Sequence, residues 1–253
     1  MREGNIQCFQ HRPLAVSRDE IELQVLKGKL RILVNETVEL AMREFKFYNC
    51  ATTVRKSENT PCMACVTSPW GCQWNTHDHT CSDKDDNIVG PNIIGHRKRS
   101  ECPQFENPDP VLIPVGYKTR ISFEGINLNN YKGRVFTIGT ELIKNMEEEV
   151  ISESGPFFTF SGFSFSYDKS PETNILFYVK DRETGKKMDS TLNVTLYNCS
   201  VGREDCSLCK YADPKYRCVW CSKQKACVYE QLCSGSQQKD LHNTGCPNPE
   251  ITN

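Results

Sequence analysis

The chain has 253 residues, 15 of them cysteine, and its 31 Lys and Arg against 32 Asp and Glu leave a net charge of -1. That balance excludes the strongly basic surface of a nucleic-acid or anionic-membrane binder. Cysteine usage this far above the ordinary points to domains folded in an oxidising compartment, where small cores need covalent staples.

Residues 1–49 alternate at Ile21/Leu23/Val25, Leu30/Ile32/Val34 and Phe45/Phe47, which predicts three or four strands, about half a sandwich. They end on Tyr48-Asn49-Cys50, and then come Cys62, Cys65, Cys72 followed by Gln73-Trp74, Cys81 and Cys102. Residues 103–198 hold no cysteine and alternate at Val111/Ile113/Val115, Ile121/Phe123, Phe136/Ile138, Phe158/Phe160, Phe163/Phe165, Ile175/Phe177/Val179 and Leu192/Val194/Leu196. Turn residues at Gly125, Asn129-Asn130, Gly155-Pro156 and Thr184-Gly185 separate these runs, and such spacing predicts an immunoglobulin-like β-sandwich. Tyr197-Asn198-Cys199 then opens a second cluster of Cys206, Cys209, Cys218 with Val219-Trp220, Cys221, Cys227, Cys233 and Cys246. Matching cysteines in the two clusters are offset by about 145 residues, the mark of a duplicated unit. Cys246-Pro247 repeats Cys102-Pro103, so residues 247–253 are expected to open a further sandwich.

Sequons at Asn35-Glu36-Thr37, Asn193-Val194-Thr195 and Asn198-Cys199-Ser200 fit an extracellular chain. The amino-terminal Met1-Arg2-Glu3-Gly4 lacks the apolar core of a signal peptide, and no apolar run has the length of a membrane span; the chain is therefore expected to be part of a longer protein. His96-Arg97-Lys98-Arg99 and the acidic run Glu147-Glu148-Glu149 read as solvated loops, His77 and His79 as surface polar residues, and Trp74 and Trp220 as the small cores of the cysteine clusters.

Two chemistries compete for the cysteines. Cys206-x-x-Cys209 followed by Cys218-x-x-Cys221 has the spacing of a structural zinc site. In the first cluster the position of Cys221 is taken by Asn75, which leaves three thiolates unless His77 or His79 substitutes, and the counterpart of Cys233 is missing too. Joint loss of two cysteines is what removal of one disulfide leaves behind, so Cys221 is expected to pair with Cys233. The six shared cysteines of each cluster allow 15 connectivities, which spacing does not resolve. Fourteen cysteines are thereby accounted for, and Cys8 is left unpaired.

The order C, C-x-x-C, C-x-W-C and three further cysteines, with Ala212-Asp213-Pro214 ahead of Cys218-Val219-Trp220-Cys221, resembles the PSI module. PSI modules alternating with IPT/TIG immunoglobulin-like domains through an LYNC junction are similar to the extracellular stalk of the plexins, the semaphorin receptors. The resemblance covers essentially the whole chain. It implies a mainly β protein: residues 1–49 the C-terminal half of an IPT/TIG domain, 50–102 a PSI module with one disulfide fewer, 103–198 an IPT/TIG domain, 199–246 a second PSI module and 247–253 the start of another IPT/TIG domain. The family's pairing of first with fourth, second with eighth, third with sixth and fifth with seventh cysteine implies Cys199–Cys218, Cys206–Cys246, Cys209–Cys227 and Cys221–Cys233. In the first module it implies Cys50–Cys72, Cys62–Cys102 and Cys65–Cys81.

No G-x-S-x-G, phosphate-cradling glycine loop or H-E-x-x-H is present, so neither an enzyme nor a cofactor or metal is expected. The resemblance implies a rigid spacer on the extracellular side of the plasma membrane, in a single-pass receptor that would bind semaphorin through a sema domain expected to lie outside this chain. Receptor self-association or a co-receptor are the other partner classes, and nucleic acid is not one. The alternative is a soluble extracellular binding module or decoy without catalytic activity.

Overall fold

A computed structural model of the protein describes residues 25–34, 38–84, 90–143, 146–233 and 246. Its first element is an antiparallel hairpin of β1 (Val25–Val34) and β2 (Val38–Tyr48), pairing Val25 with Tyr48 and shifting register between Ile32 and Leu33. Met42, Glu44, Lys46 and Tyr48, alternate residues of β2, are exposed. Ile21, Leu23, Cys8, Asn35 and residues 247–253 lie outside the described residues.

The chain then forms α1 (Cys50–Thr53), α2 (Pro61–Val66) and a three-stranded sheet of β3 (Gln73–Asn75), β4 (Thr80–Ser82) and β5 (Ile93–Ile94), with β3 central. Pro61 opens α2 in the first turn, where its missing N–H is no loss. Six cysteines gather here with Trp74, Val66 and Ile94 into a buried core that is two thirds cysteine. Three disulfides do the work that a longer chain would leave to apolar side chains.

The sandwich comprises β6 (Gln104–Glu106), β7 (Val111–Pro114), β8 (Ile121–Ile126), β9 (Phe136–Thr140), β10 (Glu147–Glu149), β11 (Ile151–Ser152), β12 (Phe157–Phe160), β13 (Glu172–Asp181) and β14 (Asp189–Tyr197). One sheet runs β10-β9-β13-β14-β7 and the other β14-β6-β8-β12-β11, so β14 belongs to both. Its first half pairs in parallel with β6 and its second half with β7. Between the sheets lie two aromatic groups. Phe105 packs edge-on to Phe123, Phe136 and Phe158 at 5.1 to 5.8 Å between centroids, and Phe177 lies 5.6 to 6.2 Å from Phe160, Phe163 and Phe165. Edge-on rings of this kind add to their burial, about 0.5–1.5 kcal/mol per pair.

Three local expectations are corrected. Gly125 is not a turn but lies inside β8, where a Cβ would meet Phe158 at 2.7 Å and Leu128 at 2.3 Å; glycine is there for close packing. The Phe163/Phe165 run forms no strand, because Gly162, at φ +90°, brings the backbone against the Thr119 carbonyl and both rings turn into the core instead. The acidic run Glu147–Glu149 is edge strand β10, held by ion pairs from Lys180 to Glu147, Lys118 to Glu148 and Arg182 to Glu149. Charged residues on an edge also discourage strand addition.

The second cysteine cluster folds as α3 (Cys206–Lys210) and a hairpin of β15 (Cys218–Cys221) and β16 (Ala226–Tyr229). Asp205 caps α3, accepting from the Leu208 N–H at 2.8 Å.

Candidate functional site: the inter-module joints

Each YNC stretch is a joint. Asn49 caps α1 by accepting from the Ala51 N–H at 3.1 Å, Tyr48 stacks on Trp70 at 5.5 Å, and Cys50 bonds to Cys72. At the second copy Asn198 accepts from the Ser200 N–H at 3.0 Å, Tyr197 lies 4.7 Å from Tyr216, and Cys199 bonds to Cys218. In both, the tyrosine ends a strand, the amide closes a turn and the sulfur ties the turn to the next sheet.

The widest joint packs the first cysteine module on the sandwich. Asp189, at the start of β14, accepts from the backbone N–H of Cys62 and Met63 at 2.7 and 2.8 Å, binding the first turn of α2. Nearby, the Ser190 N–H donates to the Asn59 carbonyl at 2.8 Å, and Asn127 donates to the Ser100 and Cys102 carbonyls. Tyr131 donates its hydroxyl proton to the Thr76 carbonyl at 2.8 Å, so toward His79 Nε2 at 3.3 Å it is an acceptor. That places the ring proton on Nε2, which also faces Asp181 at 3.5 Å. Asp181, fully buried, is paired with Arg134 at 2.5 Å, and the Arg134 guanidinium lies over the Tyr131 ring. His79 is therefore no surface residue: it adopts φ 52°, is 5% exposed, and is roofed by the sandwich. His77 is exposed, as are Arg97, Lys98 and Arg99, while His96 is half-buried.

On the other side of the sandwich Tyr216 meets the Glu172 carboxylate, Tyr117 lies 5.1 Å from Tyr229, and Tyr167 donates to the Leu196 carbonyl at 2.9 Å. Neither joint was visible in the spacing of cysteines. The sequence signal for the first was the pair Asp181 and Asp189, two acidic residues that end β13 and begin β14 on either side of the turn between them.

Two family models match. Plexin-B, PSI domain, covers residues 198–229, and Plexin A/B, PSI domain, covers residues 62–87. Mouse Plexin-B2 is 40% identical over 221 residues, 87% of this chain and 12% of that protein. Human Plexin-A2 is 32% identical over 228 residues, 83% of this chain and 11% of that protein. The solved full extracellular region of Plexin A4 superposes over 89% of this chain and 23% of its own, with a TM-score of 0.67 at 25% identity. The chain belongs to the plexin family. It spans a small part of the length of these relatives, and its modules are those of the plexin extracellular stalk.

The plexin segment joins Cys50 to Cys72, Cys62 to Cys102, Cys65 to Cys81, Cys199 to Cys218, Cys206 to Cys246, Cys209 to Cys227 and Cys221 to Cys233. Cys62, Cys102 and Asp189 would be close enough to share a metal, but the two sulfurs are bonded to each other and offer no thiolate. Where the second module has Cys221–Cys233, the first has Asn75 paired with Ile93 of β5. A third strand thus takes the place of the missing staple. Trp74 is buried, whereas Trp220 is half-buried against the second module's core. Asn193 is exposed on β14 and Asn198 is half-buried in the joint.

Acid should act on the first joint in two opposite ways. Burial pushes Asp189 up to about 7 against the pull of its two amide donors, and burial holds His79 below its ordinary 6.5. The folded state takes up the Asp189 proton more readily than the unfolded one, so stability rises as pH falls toward the unfolded value near 3.8. For His79 the unfolded state binds the proton first, so stability is lost below about 6.5. Thermal melts are expected to improve from pH 8 to 6.5 and to level off below it. Asp189→Asn should flatten the first limb, and His79→Gln should let the rise continue; a profile unchanged by either would refute the assignment.

Proposed function

We propose that this segment is a stiff spacer in the extracellular part of a semaphorin receptor, with module boundaries at residues 50–102, 103–198 and 199–246. The observation that carries the reading is the Asp189 carboxylate, whose two oxygens are both taken by the α2 amides of the neighbouring module. A buried carboxyl group so held resists bending, because any tilt of one module strips it of its two donors and leaves it unsatisfied. The tyrosine clusters of the second joint support the same reading with apolar contact. A spacer of this kind would hold a ligand-binding domain at a set distance and direction from the membrane, and would pass on a change in receptor pairing as rigid-body movement. The reading assigns the segment no catalytic step.

Small-angle scattering tests it. A compact globule of this length has a radius of gyration of about 18 Å. The secreted segment is expected well above that value, with a bounded, folded scattering profile that does not change with salt. A radius near the globular value, or the profile of beads on a flexible string, would overturn the spacer.

A further inference from the structure

Two sequons lie five residues apart near the end of β14, and their surroundings differ. Asn193 sits where β14 passes from one sheet to the other, between the β6 pairing that ends at Thr191 and the β7 pairing that begins at Val194. Its carbonyl accepts from Asn107 Nδ2 at 2.8 Å, and its side chain is exposed. Thr195, two residues on and so on the same face, donates to Asn174 at 2.8 Å. At Asn198 both ends of the amide are engaged. Nδ2 donates to the Tyr167 carbonyl at 2.7 Å, and Oδ1 accepts from the Ser200 N–H at 3.0 Å and from Ser200 Oγ at 2.7 Å. The middle residue of that sequon, Cys199, is bonded to Cys218.

We infer that Asn193 is the glycan site of this strand and that Asn198 is a bare structural clamp of the joint. The modification joins Asn193 Nδ2 to C1 of a lipid-pyrophosphate-linked oligosaccharide; the C1–O bond to pyrophosphate breaks, the amide loses one proton, and the lipid pyrophosphate leaves. The sugar then stands on the outer face of β13 and β14. At Asn198 the same bond would put a bulky substituent on the nitrogen that faces Tyr167, separating the end of β14 from the 167–171 segment, whose Pro171 carbonyl also accepts from the Asn198 N–H at 2.8 Å. The inference needs passage through the secretory pathway and is independent of the spacer role.

The test is expression of the whole chain behind a secretion signal in human cells, enzymatic release of N-glycans in heavy-oxygen water, and peptide mapping of both the secreted and the cell-retained protein. Heavy aspartate at position 193 with unlabelled Asn198 is the expected result. Asn193→Gln should remove one glycan, while Asn198→Gln should remove none and lower the secreted yield by severalfold. An unlabelled Asn193, heavy label at position 198, or loss of a glycan in the Asn198→Gln variant would each overturn the inference, whatever scattering shows about the shape.

Discussion

Arg134→Ala is expected to destabilise the sandwich and its joint with the first cysteine module by about 3–5 kcal/mol, the usual loss when a buried charge is stripped of its partner. Asp181 is fully buried, and among the described residues Arg134 is its permanently charged partner; its carboxylate also meets the Glu183 N–H at 3.2 Å, the Thr184 hydroxyl at 3.1 Å and His79 at 3.5 Å. The guanidinium also lies 5.3 Å from the centre of the Tyr131 ring, so the variant loses a cation–π contact within the same joint. The loss should depend on pH. Burial is the main cause that holds the His79 pKa down, and Arg134 and Lys186 add repulsion; with Arg134 gone one of these is removed while Asp181 still raises it, so His79 charges more readily and can take over as the cation. Chemical denaturation at pH 6 and pH 8 checks this: the deficit should be clearly smaller at pH 6. An equal loss at both, or a loss below about 1 kcal/mol, would show that the pair is not what holds Asp181.

The second large effect is expected for the Cys62→Ser, Cys102→Ser pair. This bond spans 40 residues, against 12 for Cys221–Cys233. Loop-closure entropy then assigns it about 4 kcal/mol and the shorter bond about 3. Its effect reaches further as well, because both of its ends sit in the joint: the Cys62 N–H donates to Asp189, and the Cys102 carbonyl accepts from Asn127 at 3.0 Å. Hydrogen exchange should show the serine pair losing protection in α2, β3 and the start of β14, while the Phe-rich centre of the sandwich, from Phe123 to Phe177, keeps its protection. Removal of Cys221 and Cys233 should stay confined to β15 and β16. Equal, local losses from the two pairs would mean that the first disulfide staples its own module only.

Sequence alone determined the modular order of this protein. The repeat of YNC, the offset cysteines and the alternating apolar runs are each local patterns, set by the period of a strand or the needs of a small core, and they survive without knowledge of neighbours. Joint loss of Cys221 and Cys233 counterparts in the first module was legible for the same reason, since a disulfide takes two residues at once. Tertiary structure decided what the joints are made of. His79 reads as a surface histidine because nothing near it in sequence buries it; Tyr131, Arg134 and Asp181 reach it from residues more than 50 positions away. Glu147–Glu149 reads as a loop because its charges are counted without their partners Lys118, Lys180 and Arg182. Asn193 and Asn198 carry the same three-residue signal, and only the packing of Tyr167 and Pro171 against one of them tells them apart. Local periodicity encodes where a strand lies, but the partners of a buried polar group are supplied by chain that is distant in sequence, and it is those partners that hold one module against the next.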